Sequence, residues 1–414
     1  MQTNLASWIR NTPEGDQAEE ILRRCVHCGF CQATCPTYQE LGDELDSPRG
    51  RIYLIKQMLE GADVGESTQL HLDRCLTCRN CETTCPSGVE YGKLVDIGRE
   101  IVAERVERPA SERLLRAALR HGLNSPLFGP AMALGRLVRP LLPQSLRSKV
   151  PPRQPSRGLP ANTARHARQV IMLQGCVQPA MMPNIDEATI RVLDAVGVGT
   201  KVVPGAGCCG AINLHLDAQA QALDQMRRNV DAWWPLIDSG EAECIVANAS
   251  GCGAMLREYA HHLRNDPGYA AKAQALSDAV RDVSEVLEPH ADELAKRIGA
   301  IAGRHAFHPP CTLQHWQRLR GTTEKVLTGI GFKLVPFAES HLCCGSAGTY
   351  SITQKELSMR LRDRKLRNIQ AGEPDSIVSS NIGCITQLQS GADIPVKHWI
   401  EVVDEALASR PPLQ

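Results

Sequence analysis

The feature that most constrains this chain is a pair of cysteine runs with identical spacing near its N-terminus. The first reads Cys25-Val-His-Cys-Gly-Phe-Cys-Gln-Ala-Thr-Cys35-Pro, and the second reads Cys75-Leu-Thr-Cys-Arg-Asn-Cys-Glu-Thr-Thr-Cys85-Pro. Bacterial ferredoxins use this spacing, because a tight loop lets three thiolates bind one 4Fe-4S cube while the fourth cysteine completes the neighbouring cube. The motif therefore predicts two clusters, with these ligands: Cys25, Cys28, Cys31 and Cys85 for one, and Cys75, Cys78, Cys81 and Cys35 for the other.

A pair of zinc sites is the alternative use for closely spaced cysteines. Zinc ribbons supply their ligands in separated pairs, whereas each run here has four cysteines and ends in proline. The chain has 17 cysteines, and its N-terminus does not look like a signal peptide. We therefore expect a cytoplasmic protein with reduced, metal-binding thiols rather than a secreted disulfide framework.

The other cysteines disclose an internal repeat in the C-terminal half. Cys176 and Cys208 enclose 31 residues, as do Cys311 and Cys343. The second cysteine of each pair opens a Cys-Cys-Gly triplet, and a similar stretch ending in Gly-Cys follows in both copies. Each copy thus offers four cysteines: Cys176, Cys208, Cys209 and Cys252 in the first, and Cys311, Cys343, Cys344 and Cys384 in the second. Cys244 is left over.

Short β-branched runs alternate with helical patterns between these landmarks. We expect the following elements: strands at Val170–Leu173, Lys201–Val203 and Lys333–Val335, and helices at Asp186–Val196 and Thr323–Ile330. This alternation favours βαβ units around parallel sheets. The predicted fold is α+β and α/β: a mainly helical, bacterial-ferredoxin-like module that ends in a helix over Val89–Glu107, followed by two similar α/β cysteine-rich lobes.

A basic segment separates the module from the repeats. Between Arg108 and Arg168 there are twelve Lys or Arg residues and one acid, in a chain whose formal net charge is zero. Its prolines predict a linker with short helical pieces. Its apolar and basic residues suit docking on a membrane surface or packing against partner subunits: Leu127, Phe128, Met132, Leu134, Leu137, Leu141 and Leu142, with Arg136, Arg139 and Arg147. The predicted domains are 1–107, 108–168, 169–303 and 304–414.

Residues 1–107 resemble the iron-sulfur subunits of glycolate oxidase, a glycolate dehydrogenase complex. Three stretches carry this resemblance: Cys-Val-His-Cys-Gly-Phe-Cys at 25–31, Gly-Asp-Glu-Leu-Asp-Ser-Pro-Arg-Gly-Arg at 42–51 and His-Leu-Asp-Arg-Cys-Leu-Thr-Cys at 71–78. The repeats resemble the cysteine-rich domain shared by heterodisulfide reductase, the iron-sulfur subunit of anaerobic glycerol-3-phosphate dehydrogenase and lactate-utilisation proteins. Together the two resemblances cover most of the chain outside the basic segment.

The resemblance implies an electron-transfer subunit of an oxidoreductase complex. A flavin subunit would oxidise glycolate to glyoxylate, and would accept other short 2-hydroxy acids such as D-lactate. This chain would pass the electrons to an acceptor, plausibly a membrane quinone, as a peripheral protein on the inner face of the cell membrane. Because the carbon chemistry is expected in the partner, no catalytic residue is assigned to this chain.

The Cys-Cys-Gly repeats leave several uses open. In heterodisulfide reductase-like domains the pattern ends in Cys-x-x-Cys and can ligate an unusual iron-sulfur cluster. Here Ala249 and Met255 flank Cys252, and Asn381 and Gln387 flank Cys384, so that ending is missing. Four thiols per lobe could hold a cluster or another metal, act as a redox pair or be buried apolar groups. The histidines near the second copy could be ligands, proton shuttles or ordinary histidines: His308, His315 and His341.

One pattern imitates a nucleotide site. Gly205-Ala-Gly207-Cys-Cys-Gly210 matches Gly-x-Gly-x-x-Gly after a predicted strand. The second copy keeps the cysteines and loses the first two glycines, so the repeat is organised around thiols, and we expect neither flavin nor NAD on this chain. Nucleic-acid binding is not expected either, because the chain is neutral and has no known reader module.

Two rival interpretations remain beside the electron-transfer subunit. In the first, the lobes perform chemistry themselves, as in a heterodisulfide reductase-like or quinone-reducing subunit. In the second, the chain anchors its complex to the membrane, similar to the glycerol-3-phosphate dehydrogenase subunit. The missing Cys-x-x-Cys counts against the first rival.

Overall fold

The chain divides into two units in the computed structural model, which describes residues 1–143, 150–152, 156–160, 166–298 and 301–409. Unit 1 comprises Met1–Leu115 and Glu339–Lys365, and unit 2 comprises Arg116–Ala338 and Leu366–Gln414. The segment 339–365 therefore belongs to the N-terminal unit, although the sequence places it inside the second repeat. The division into four domains made from sequence stays a prediction.

Unit 1 is helical. Its helices are Pro13–Arg24, Pro36–Leu41, Pro48–Leu59, Glu66–Asp73, Asn80–Thr84, Tyr91–Arg105, the start of Ala110–Leu123, Tyr350–Thr353 and most of Lys355–Gln370. Three of them begin with proline, whose fixed φ and missing N–H suit the first helical position. Thr12 and Ser47 cap two of these starts by accepting the N–H groups of Gly15 and Gly50, each at 3.0 Å. The buried faces meet in one apolar core that includes Leu22, Ile55 and Leu94.

Unit 2 contains two four-stranded parallel sheets. The first has the order β2-β1-β3-β4 and the second β6-β5-β7-β8, with these strands: β1 Arg168–Met172, β2 Val198–Lys201, β3 Ile245–Ala247, β4 Val280–Asp282, β5 Arg304–His308, β6 Lys333–Leu334, β7 Ser376–Ser379 and β8 Val396–His398. Both sheets follow the same order along the chain. The predicted fold, a ferredoxin-like module followed by two similar α/β lobes, is confirmed.

Helices connect the strands of both sheets. They are Gln178–Met181, Pro183–Ala195, Ala211–His215, Gln219–Asp238, Ser250–Leu256, Tyr259–His262, Ala270–Ala279, Val283–Leu287, Ala291–Ile298, Thr322–Ile330, Ile382–Gln389 and Trp399–Ala408. Most residues of the central strands β1, β3, β5 and β7 are buried, as expected for parallel sheets covered by helices. The core of the first lobe is one buried apolar cluster, which includes Ile171, Met226 and Trp233.

The predicted elements are present with shifted ends. The strand expected at Lys201–Val203 begins at Val198, because Val198 and Gly199 pair with β1, and it ends at Lys201, after which Val202 is exposed. The helix expected at Val89–Glu107 runs over Tyr91–Arg105, since Glu90 and Val106 have non-helical backbone angles. Boundaries depend on such local backbone contacts, which periodicity in the sequence does not report.

The basic segment begins with two helices, Ala110–Leu123 and Phe128–Leu137. Arg136 donates to the carbonyl oxygens of Ala180 and Met181 at 2.9 and 2.7 Å, and Arg139 donates to that of Val150 at 2.8 Å. These two arginines are thus used inside unit 2 rather than offered to an anionic surface. Several leucines nearby stay exposed: Leu127, Leu134, Leu137 and Leu141. Arg147 lies outside the described residues.

Among the described residues, no helix is both long enough and apolar enough to cross a lipid bilayer.

Candidate functional site

The two ferredoxin-type runs have equivalent backbones. Cys25 and Cys75 each follow a helix and donate their N–H to a leucine carbonyl three residues earlier, Leu22 or Leu72, at 3.1 Å in both cases. Cys35 and Cys85 close the runs in extended conformation before proline. The identical spacing in the sequence is therefore matched by nearly identical local structure.

Left-handed residues fold each run into a tight loop. His27 and Gly29 have φ of 56° and 83°, and their counterparts Thr77 and Arg79 have φ of 50° and 57°. This conformation turns backbone N–H groups towards the thiols: Thr77 donates to the Cys75 sulfur at 3.4 Å. Non-glycine residues adopt this conformation at a cost, so its repetition at three positions indicates a functional constraint.

Two adjoining cavities lie between the loops. The first, about 440 Å³ of empty space that includes open solvent, is lined by five cysteines: Cys25, Cys28, Cys31, Cys85 and Cys81. The second, about 300 Å³, is lined by four: Cys75, Cys78, Cys81 and Cys35. Each cavity thus collects three cysteines of one run and the last cysteine of the other, and Cys81 lines both cavities.

The second cavity has a basic surrounding. Burial by itself would raise the pKa of the Cys75 thiol, but the charges of Arg51 and Arg99, with hydrogen bonds from the Tyr91 hydroxyl and Thr77 N–H, lower it instead. Arg99 also donates to the Cys75 carbonyl at 2.7 Å. These groups stabilise negative charge on sulfur.

Other thiols of the two cavities lack this compensation, and burial raises the pKa of Cys81 in the second cavity well above its usual value. Burial raises the pKa of Cys25, and it raises that of Cys31 to about 11. Cys28 is exposed at the mouth of this cavity. The first loop therefore reaches the surface at Cys28, whereas its counterpart Cys78 in the second loop is only partly exposed.

Arg51 is held by a buried network that the sequence analysis did not identify. Its guanidinium donates to Asp46 at 3.2 Å, to the Thr37 hydroxyl at 3.1 Å and to the His71 carbonyl at 2.6 Å. Arg74 donates to the other oxygen of Asp46 at 2.9 Å. The sequence did draw attention to this arginine, because Arg51 is the last residue of the Gly-Asp-Glu-Leu-Asp-Ser-Pro-Arg-Gly-Arg stretch. The role of Arg51, however, depends on contacts in space that the sequence does not give.

The segment 339–365 packs on the second run within unit 1. Asn80, next to Cys81, donates to the His341 carbonyl at 3.2 Å, and the Tyr350 hydroxyl donates to the Arg74 carbonyl at 3.0 Å. Burial is the main cause of the raised pKa of Tyr350, to which Cys75 and Cys343 also contribute. The second Cys-Cys-Gly triplet, Cys343-Cys344-Gly345, thus belongs to the unit that carries the ferredoxin-type runs.

The other two cysteines of the second repeat belong to unit 2. Cys311 follows β5, and Cys384 lies in the helix Ile382–Gln389 that follows β7. The repeat pattern had grouped Cys311, Cys343, Cys344 and Cys384 as one set, and this assignment stays a prediction.

The first lobe brings its four cysteines together. Cys176 follows β1 and Cys252 lies just after β3, so both stand at the carboxyl ends of the two central strands, where open α/β sheets commonly bind ligands. Cys208 and Cys209 arrive on the loop after β2. Cys244 precedes β3, at the opposite end of that strand, and burial raises its pKa to about 12.

Thiols in this group hydrogen-bond to one another. Bonds from Cys176 and Cys209, with N–H groups of Gly210 and Ile212, outweigh burial and lower the pKa of Cys208 to about 3. The same bonds raise the pKa values of Cys176 and Cys209, and Cys209 also meets Cys252. The arrangement brings four cysteine sulfurs together and favours the charged form of Cys208, which suits metal binding.

A polar pair supports the triplet from behind. Asn229 donates to the Cys208 carbonyl at 2.9 Å and accepts the Gly207 N–H at 2.9 Å, while the Tyr259 hydroxyl donates to the Cys209 carbonyl at 3.0 Å. Gly210 has φ of 94°, a conformation that glycine adopts without strain. The Gly-x-Gly-x-x-Gly pattern in this loop therefore serves to place two thiols.

The three predicted histidines have different environments. His308 is fully buried and its Nδ1 lies 3.3 Å from the Ser379 hydroxyl. His315 is buried in unit 2, and His341 contributes its carbonyl to Asn80 in unit 1. Their use as ligands or shuttles stays a prediction.

Known protein families match both the N-terminal and the C-terminal half of the chain. A 4Fe-4S dicluster domain model matches residues 21–89, and a cysteine-rich domain model, CCG, matches residues 170–257 and again 305–389. These matches contain both ferredoxin-type runs and both Cys-Cys-Gly copies, and they indicate iron-sulfur clusters.

Similar full-length proteins are also known. The chain is 52% identical over 410 residues to the glycolate oxidase iron-sulfur subunit of Escherichia coli K12, covering 98% of this chain and 99% of that protein. It is 31% identical to the probable glycolate oxidase iron-sulfur subunit of Bacillus subtilis 168, covering 93% and 92%. Lactate utilization protein A of Bacillus velezensis is 27% identical over 57% of this chain and 99% of its own length.

Proposed function

Because the chain belongs to the family of glycolate oxidase iron-sulfur subunits, we propose that it carries electrons from a flavin-containing subunit to a membrane or quinone acceptor. The flavin subunit oxidises glycolate to glyoxylate, and short 2-hydroxy acids such as D-lactate in the same way. That oxidation releases two electrons and two protons. The electrons enter this chain one at a time, and no bond is made or broken in it.

The arrangement of the two cavities is the observation that carries this proposal. The lining of each includes three cysteines of one run and the last cysteine of the other, with Cys81 shared by both cavities; this grouping supports the ligand sharing that the motif predicts. The ligand sets are Cys25, Cys28, Cys31 and Cys85, and Cys75, Cys78, Cys81 and Cys35. When bound, a 4Fe-4S cluster stores and releases one electron at a time.

The residues around the cavities fit such an occupant. A cube held by four thiolates is negatively charged, and Arg51, Arg99 and backbone N–H groups already lower the pKa of one ligand thiol. Positive φ at His27, Gly29, Thr77 and Arg79 lets the loops curl around a compact group.

A second metal function is supported in the first lobe. The mutual hydrogen bonds of Cys176, Cys208, Cys209 and Cys252 gather four ligands at the carboxyl ends of β1 and β3. We propose that they hold a further iron-sulfur cluster or another metal. In the second lobe the corresponding set is a weaker proposal, because Cys311 and Cys384 belong to a different unit from Cys343 and Cys344.

The proposed location is the cytoplasmic side of the cell membrane, where the chain would bind peripherally. Exposed leucines on the helix Phe128–Leu137 and after it support this location. Arg136 and Arg139 do not, because they are bound to backbone carbonyls. Sedimentation with vesicles, in the absence of the flavin partner, tests this part separately.

Iron and acid-labile sulfide per chain test the cluster assignment. Anaerobically purified protein should contain about eight irons if the ferredoxin-type runs alone are loaded, and about twelve if the first lobe holds a further 4Fe-4S cluster. Electron paramagnetic resonance of the reduced protein should show interacting cubes. A zinc content near two per chain with no labile sulfide would overturn the proposal.

A further inference from the structure

The surroundings of the two ferredoxin-type loops differ at equivalent positions. Val26 and Phe30 flank Cys28 in the first loop and are 67% and 60% exposed. Their counterparts in the second loop, Leu76 and Asn80, are 7% and 3% exposed. The two loops are alike in backbone, but the face of the first loop is open to solvent and the face of the second loop is covered.

The second loop is covered by the chain itself. Asn80 donates to the His341 carbonyl, and Tyr350 donates to the carbonyl of Arg74, the residue before Cys75. The segment 339–365 thus covers the second loop. The equivalent side of the first loop, at Val26 and Phe30, is exposed to solvent. A folded protein surface is therefore the kind of partner that this type of loop accepts.

The open face is apolar and lies over a cluster ligand. We define it by Val26, Cys28, Phe30 and Tyr53; Tyr53 is also exposed and its ring meets the His27 ring edge-on at 6.4 Å between centroids. Isolated exposed apolar side chains are common, but three around one exposed ligand form a patch of the sort that mediates protein contacts.

Charges at the rim indicate the chemistry of the partner. Arg49 is paired with Glu44 at 2.7 Å, and Arg24 is paired with Glu20 and, at 3.4 Å, with Glu90. These cations are locally neutralised, whereas a cube held by Cys25, Cys28, Cys31 and Cys85 is negative. The face would therefore combine an apolar collar with a negative centre, which fits an apolar patch that carries Lys or Arg.

The proposed function identifies the partner. It gives this chain one protein partner, the flavin subunit, whereas the acceptor is a membrane or a quinone. Because the equivalent second loop is covered by folded protein, the open first loop, with its exposed ligand Cys28, suits the flavin subunit.

We propose that the face formed by Val26, Cys28, Phe30 and Tyr53 is the entry face of this chain, on which the electron-donating flavin subunit docks through an apolar patch with basic residues. This inference rests on the proposed two-cluster function and adds to it the surface on which the donor binds. The donor loses each electron as the first cluster of this chain gains it.

The test compares Val26→Thr/Phe30→Gln with a matched control, Leu70→Gln. Leu70 is an exposed leucine of the same unit, on the helix Glu66–Asp73 that precedes the second loop, and it does not belong to the proposed face. Affinity for the purified flavin subunit is measured by biolayer interferometry, and the rate at which the substrate-reduced flavin subunit reduces this chain is measured by stopped flow. The double variant should bind at least about tenfold more weakly, as expected for a central apolar contact, and Leu70→Gln should bind within about twofold of wild type.

Two further measurements keep the result interpretable. Dithionite should give the double variant cluster signals of the same number and intensity as wild type, because it keeps all four proposed ligands of the first cavity, Cys25, Cys28, Cys31 and Cys85. Wild-type association should slow as salt rises, and Phe30→Lys should weaken binding most at low salt.

Three outcomes would count against the proposal. Wild-type protein without cluster signals after dithionite would overturn the proposed function and this inference with it. Intact clusters in a double variant that binds and is reduced like wild type would overturn the entry face alone. So would a double variant that loses binding to anionic lipid vesicles while its affinity for the flavin subunit is unchanged.

Discussion

The cluster module and the first cysteine-rich lobe both gather four or more cysteines, but they compensate thiolate charge in different ways. In the module, Arg51 and Arg99 act on Cys75 together with a tyrosine hydroxyl. In the lobe, the groups that act on Cys208 are other thiols and backbone N–H groups. The module places full positive charges beside its cysteines, whereas the lobe relies on dipoles and on sharing protons.

The same contrast holds for buried carboxylates. Asp46 in the module lies among Arg51, Arg74 and His71. Asp186 in the lobe receives hydrogen bonds from the neutral amides of Gln178 and Asn248, at 2.6 and 2.9 Å, and burial raises its pKa to about 6. The module therefore surrounds its buried carboxylate with cationic side chains, whereas the lobe surrounds its own with neutral amides. The difference teaches that the two regions balance buried negative charge by different means.

Loss of a module ligand should have the largest effect. Cys78→Ser removes a ligand of the second cluster, so iron should fall by about four per chain and electron transfer to an external acceptor by on the order of 100-fold or more. Flavin in the partner should still be reduced by glycolate. Iron analysis and acceptor assays check this, with Cys244→Ala as the control that retains both. Unchanged acceptor turnover would show that the module is not the relay.

Loss of a lobe cysteine should affect metal without affecting the module. Cys209→Ser removes a thiol that contacts both Cys208 and Cys252, so any metal beyond the eight irons of the module should disappear. The signals of the two cubes should persist in paramagnetic resonance. If the metal content of the variant equals that of wild type, the four thiols of the lobe are not ligands. The module would then be a metal site and the lobe thiols would be part of a structural core.

Changes in charge beside the second cavity should shift its potential in opposite directions. Arg99→Gln removes a cation and should lower the reduction potential of the second cluster, whereas Asp46→Asn removes an anion and should raise it. Each shift should be about 40–90 mV, equivalent to about 1–2 kcal/mol for one electron. Potentiometric titration followed by paramagnetic resonance measures both. Shifts of the same sign would contradict the electrostatic account.

The smallest effect is expected at Asp186, on stability alone. Its pKa is about 6 in the folded lobe against a reference value of 3.8. Between these values the unfolded chain releases the proton and the folded chain keeps it, so stability falls as pH rises towards 6 and stays reduced above it. Asp186→Asn keeps the acceptor and removes the charge. It should raise the free energy of unfolding by about 1–3 kcal/mol at pH 8 and by progressively less as pH falls to 5.

Urea unfolding at several pH values measures this effect, and Asp404 supplies the control. Arg191 donates to both oxygens of Asp404 at 2.9 and 2.8 Å, so Asp404→Asn should destabilise the same unit at pH 8. Equal effects of the two substitutions would mean that Asp186 is compensated by a group other than its amide partners.

Much of the architecture could be predicted from sequence because its signals are local. The two runs predicted a ferredoxin-like module, and the paired Cys-Cys-Gly landmarks predicted two similar α/β lobes. Both are confirmed by the matched families and by the common strand order of the two sheets. Strand and helix ends were less predictable: β2 starts three residues before its expected position because its partner is β1, which lies distant in sequence.

The site was predictable only in its cysteines. Spacing identifies a ligand by residue type, but the residues that tune it are recruited from elsewhere. Arg51 comes from the helix Pro48–Leu59, Arg99 from the helix Tyr91–Arg105 and Tyr350 from a segment more than 270 residues after Cys75. Sequence order likewise assigned Cys343 and Cys344 to the second lobe, whereas the contacts of their segment place them in unit 1.

The sequence by itself determined which atoms can bind iron and how the chain repeats, because thiol chemistry and periodic patterns depend on residue identity and spacing. Only the tertiary structure decided how those thiols differ. Charge compensation, burial and access depend on distance in space, and residues remote in the chain supply them: Arg51 and Arg99 beside Cys75, solvent beside Cys28, and other thiols around Cys208.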